Sequence, residues 1–182
     1  MVVLWIVYIT VHGTTSFNRE GVVLGRSSHF WGSMLGGPPN LLVALGLIIL
    51  YPRLATRTRL LARVGYFFTV IGLVVSGSID LYIGAIAPPF FAPIVGIGLI
   101  LMALGVWHNP RLQRQSCYLL MTIGIFFGSA IAWFLILPLE VFDQVDGYRW
   151  YGLQAHVVPG IGWVVLGASF WKTQAPSAIE PA

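Results

Sequence analysis

Asn40, Asp80 and His156 stand out in this chain because each interrupts a long apolar run. A carboxylate accepts hydrogen bonds, a carboxamide both donates and accepts, and an imidazole can do either, so the three together could hold a polar ligand. Each falls on a stripe of small residues spaced four apart: Gly36, Asn40 and Ala44; Gly72, Ser76, Asp80 and Gly84; Gly152, His156 and Gly160. Such stripes let helices approach closely in lipid, and an ionisable group facing lipid is costly, so these side chains are expected to face a bundle interior. One reading makes them interhelical hydrogen-bond glue, each contributing about 0.6–2 kcal/mol. A sharper one joins them in a polar pocket near the outer face, for a small molecule, an ion or a lipid headgroup. A third leaves Asp80 in the outer headgroup layer.

The histidines raise metal chemistry. His29, His156 and Glu140 share one side of the expected membrane and, with Asp80, could surround a zinc ion in the manner of a metal-dependent hydrolase. No ligand spacing supports that set, and a histidine at a helix end reads more readily as an interface residue. His108 falls on the opposite side and does not share an iron with His156. The sequence has no H-E-x-x-H, no phosphate-binding G-x-x-x-x-G-K-[ST] and no G-x-S-x-G. Its lone Cys117 excludes an internal disulfide or a thiolate cluster. Glu140, Asp143 and Asp146 read as a solvated acidic rim. No cofactor is expected, and the leading expectation is a non-enzymatic accessory protein or complex subunit. The metal hydrolase is the alternative.

The elements that must position these residues are membrane helices. Of 182 residues, 57% are hydrophobic and 9% charged. A soluble domain carries about 25% charged residues, so much of this surface must face lipid. A span needs roughly 20 apolar residues, and five segments approach that: 35–51, 60–83, 90–107, 117–138 and 152–171. The expected fold is therefore an all-α integral membrane bundle of about five transmembrane helices. Its divisions are an N-terminal segment (1–32), a transmembrane domain (33–172) and a cytoplasmic tail (173–182).

Arg53, Arg57, Arg59 and Arg63 share one side with Arg111, Arg114 and Lys172, whereas the intervening loops are uncharged or acidic. The positive-inside rule makes that side cytoplasmic, with the N-terminus outside. The setting expected is a bacterial plasma membrane. Whether the apolar stretch before His12 forms a short sixth helix, lies at the interface or precedes the domain is open at this stage. The net charge of +4 belongs to orienting loops and does not indicate nucleic acid. Gly124 and Gly128 form a G-x-x-x-G motif. If the other helices leave that face open, it would contact a second copy or a larger membrane complex.

Overall fold

A computed structural model of the chain describes residues 2, 3, 6, 22, 23, 25–55, 60–84, 89–108, 114–138, 141 and 147–172. Apart from a minimal hairpin, the described residues are helical. Strands β1 (Val22–Val23) and β2 (Arg26–Ser27) pair antiparallel around Gly25, whose φ of 72° suits glycine. Helices follow as α1 (Ser28–Ala55), α2 (Leu60–Ile83), α3 (Ala92–Val106), α4 (Arg114–Ser129) and α5 (Ala132–Ile136). Then α6 (Gly147–Gly152), a π-turn (Leu153–Val157) and α7 (Val158–Lys172) run on without interruption. Three segments are long and apolar enough to cross a membrane: His29–Pro52, Leu60–Ile83 and Arg114–Ile136.

Helix α1 starts earlier than the apolar run implied. Ser27 Oγ accepts from the Phe30 backbone N–H at 3.2 Å, an N-cap that satisfies one of the orphan donors of the first turn. Arg26 covers the Phe30 ring at 5.0 Å. Pro38 and Pro39, near the start of the expected segment 35–51, therefore lie well inside the helix, as does Pro52. They remove the donors an unbroken ladder gives to the Met34 and Leu35 carbonyls, a defect membrane helices tolerate when neighbours re-satisfy the backbone. The N-terminal segment 1–32 also contains the hairpin. Helix α2 coincides with the expected 60–83 and ends at Gly84, whose φ of 65° makes it a left-handed C-cap.

The helices pack in sequence order, α1 on α2, α2 on α3 and α3 on α4, with α7 returning against α4. Glycines set how closely they meet. A Cβ on Gly65 would lie 2.5 Å from the Gly98 carbonyl oxygen and would also strike Met102 N. On Gly96, a Cβ would fall 2.5 Å from Gly128 Cα and 2.6 Å from the Gly124 carbonyl oxygen. The Gly124/Gly128 face is thus occupied by α3 of the same chain. The condition for its meeting a second copy or larger complex is not fulfilled, because two side-chain-free surfaces have already closed on each other.

A long core runs through the bundle around Leu73, Leu99, Met102, Leu120 and Ile123. Ser116 and Ser169 bridge α4 and α7 at 3.2 Å. Leu42, Leu45, Ile48 and Ile49 on α1, and Phe67, Phe68, Ile71 and Val74 on α2, point outward. So large an apolar exterior would be a liability in water and is ordinary in lipid. Val2, Val3 and Ile6 are helical, and a Cβ on Gly160 would lie 2.7 Å from Val2 Cγ2, so the N-terminal apolar stretch reaches α7. The tail 173–182 lies outside the described residues.

Candidate functional site

Asp80 is 4% exposed on the last full turn of α2. Its carboxyl lies over Gly36 of α1, where an added Cβ would come within 2.5 Å of Oδ2. Gly37 faces Gly77 in the same way: its Cβ would meet the Gly77 carbonyl oxygen at 2.9 Å. The paired glycines bring the α1 and α2 backbones together and leave Asp80 room to lie across α1. Asn40 belongs to the same seam, one turn further along, where its Cβ would be 3.2 Å from a Cβ on Gly77.

His156 arrives from the other end of the chain on the π-turn. Val158 N–H bonds Leu153 O, five residues back rather than four. The cause is local: Pro159 is buried and has no N–H, and its ring would collide with the Ala155 carbonyl in a regular helix. A π-bulge loosens that turn. It also brings His156 against Tyr151, with ring centroids 5.6 Å apart and planes at 84°. The Nε2 atom of His156 is buried.

Tyr151 is the residue sequence reasoning missed. It is 3% exposed, and it lies close enough to Asp80 for the two to interact electrostatically. Phe134 packs edge-on against it with centroids 5.1 Å apart. Leu35, Ala130, Ala155 and Val157 complete the apolar wall. Tyr151 thus has the His156 ring against it and the Asp80 carboxyl within electrostatic range. No spacing rule for regular helices pairs residues 151 and 156, because an interval of five becomes a neighbour relation only through the π-turn.

Gln154 was also missed. Its Oε1 accepts from Trp133 Nε1 at 2.7 Å, while its Nε2 donates to Ser129 Oγ at 2.8 Å and to the Phe126 carbonyl at 3.2 Å. Those partners surround the junction of α4 and α5. There the Ala130 N–H bonds the Phe127 carbonyl, three residues back, so the Phe126 carbonyl is available to Gln154. The expected span 117–138 is accordingly two helices with a tight junction at Ala130 and Ile131. Two irregular turns on neighbouring helices are stitched by one carboxamide. Hydrogen bonds of this kind in a membrane contribute about 0.6–1.7 kcal/mol each.

The candidate metal ligands are not assembled among the described residues. His29 is exposed on the first turn of α1, about 10 Å along the axis from Gly36. Glu140 lies outside the described residues. Among the described residues, no group of three or more His, Cys, Asp or Glu side chains could hold a metal ion. Asp80, Tyr151 and His156 bring a carboxyl, a hydroxyl and an imidazole into the bundle interior, groups that can donate and accept hydrogen bonds.

Compared with protein families, curated proteins and solved structures, the chain finds no match.

Proposed function

We propose that this chain is a five-span plasma-membrane protein that binds rather than converts, holding a small polar molecule or lipid headgroup near the outer face at Asp80, Tyr151 and His156. The observation that carries the reading is the burial of Asp80 at the α1–α2 seam, over Gly36. An ionisable residue inside a membrane bundle is a functional-site candidate by default, because it is costly to place there. Asn40 borders the site from below. The role is that of an accessory protein or subunit within a larger membrane assembly.

Five spans follow if α3 and the segment α6–π–α7 cross as well. That last segment is continuous from residue 147 to 172 and would extend about 39 Å. The basic residues then place the N-terminus outside and the C-terminus in the cytoplasm. In a Cys117→Ser background, a cysteine at Arg57 or Gln113 is expected to resist impermeant thiol reagents in intact cells, and one at Gln144 to react. Labelling in the opposite sense would reverse every depth assigned above.

The binding reading is tested by purifying the full chain in mild detergent and identifying bound lipids, small molecules and metals by mass spectrometry. The wild type should retain a polar species that Asp80→Asn loses while remaining folded. Stoichiometric zinc would instead favour the metal hydrolase. Identical profiles for the two proteins would end the proposal.

A further inference from the structure

Helices α3 and α4 are held together at one end by Gly96, Gly124 and Gly128, but they diverge at the other. There Leu104 on α3, with Trp107 and His108 directly after its end, faces Tyr118, Met121, Thr122 and Ile125 on α4 across a cavity of about 510 Å³. The two sets are helical stripes, at intervals of three and four, so each lines one wall. The wedge has a simple cause. Glycines allow backbone contact at one end, whereas an indole and a phenol, edge to face with centroids 5.2 Å apart, hold the other end open. Leu104, Tyr118 and Ile125 are each more than 40% exposed, so the groove opens sideways to the surrounding lipid.

The rim carries positive charge. Arg114 opens α4 one turn before Tyr118 on the same stripe and is exposed, and His108 is exposed opposite. Arg111 falls between the two in the sequence. Among the described residues, none lining the groove is acidic. From Arg114 to Ile125 the stripe runs about 17 Å, with a cation at the headgroup end and aliphatic side chains at the deep end. That polarity matches one kind of occupant.

We propose that this groove binds an anionic glycerophospholipid of the leaflet on the basic side. One acyl chain lies between Leu104 and Ile125, and the headgroup phosphate is paired by Arg114. The cavity falls within the roughly 300–1,000 Å³ of small-molecule sites. Basic residues at a membrane surface attract anionic lipid, each favouring it by about fivefold.

The test is native mass spectrometry of the full chain titrated with phosphatidylglycerol or phosphatidylcholine of identical acyl chains. The wild type should retain phosphatidylglycerol about fivefold better. Arg114→Gln, at an exposed site, should bring the two lipids close to parity. Thr122→Trp, which fills the groove from its open side, should lower retention of both. Asp80→Asn should leave all of this unchanged, so the groove stands or falls apart from the outer site. Parity in the wild type, an undiminished preference in Arg114→Gln, or full retention by Thr122→Trp would overturn the proposal. So would a dimer that Thr122→Trp dissociates, because the groove would then seat a second copy.

Discussion

Gly65→Leu is expected to abolish the close α2–α3 contact and cost more than about 3 kcal/mol, as overpacking does at the severe end of its range. The added side chain would meet backbone: the Gly98 carbonyl oxygen, the Leu101 carbonyl carbon at 2.9 Å, and Met102 N. Backbone cannot swing aside as a flexible side chain can. The helices must separate, and lipid does not restore the van der Waals contact they lose. A thermal midpoint lowered by on the order of 10 °C is expected. Gly46→Leu is the matched control, because nothing lies within 4 Å of a Cβ there. It should lose nothing, and helix propensity favours it over glycine by up to about 1 kcal/mol. Equal tolerance of both substitutions, measured by scattering-monitored unfolding in detergent, would show that the close packing at Gly65 contributes little.

The second large effect is coupling around Asp80. Asp80→Ala leaves Tyr151 buried beside an absent carboxyl, and Tyr151→Phe does the converse to Asp80. Each should cost about 1–3 kcal/mol, the range for a buried polar group that loses its partner. The double variant should cost clearly less than the sum. Because Tyr151 is in ring contact with His156 and within electrostatic range of Asp80, the cycles should be graded: present for Asp80 with Tyr151 and for Tyr151 with His156, and weaker for Asp80→Ala with His156→Ala. Asn40→Ala should add independently to His156→Ala. Additivity within about 0.5 kcal/mol in the Asp80–Tyr151 cycle would dissolve the cluster into separate residues.

How far the sequence reached is clear from particular residues. Helix α2 was legible to its ends, because an apolar run of span length stops at a glycine that can adopt positive φ. The start of α1 was not. Its N-cap at Ser27 lies in a polar stretch, and Pro38 and Pro39, eleven and twelve residues later, mimic a helix start. Asp80 and His156 were identifiable as interior residues from cost alone, but Tyr151 was not, because it meets the His156 ring only through the π-turn. The glycines were equally visible and equally uninformative. Gly46 and Gly65 both sit in apolar helices, and only the tertiary arrangement shows which one meets a neighbouring backbone. The same holds for Gly124 and Gly128, whose motif predicts a contact without saying whether the partner is another molecule or the preceding helix.

Helix α3 is only 15 residues long. At 1.5 Å per residue it rises about 22 Å, some 8 Å short of a hydrocarbon layer of about 30 Å. Its flanking helices, α2 and the α4–α5 segment, are long enough to cross fully. If all five helices span, the bilayer on the α3 side is thinner than elsewhere around the protein, because thinning is how a membrane meets a short hydrophobic segment. The molecule would then carry an asymmetric lipid footprint, pinched along one flank, and would be most at ease in membranes of short-chain lipids.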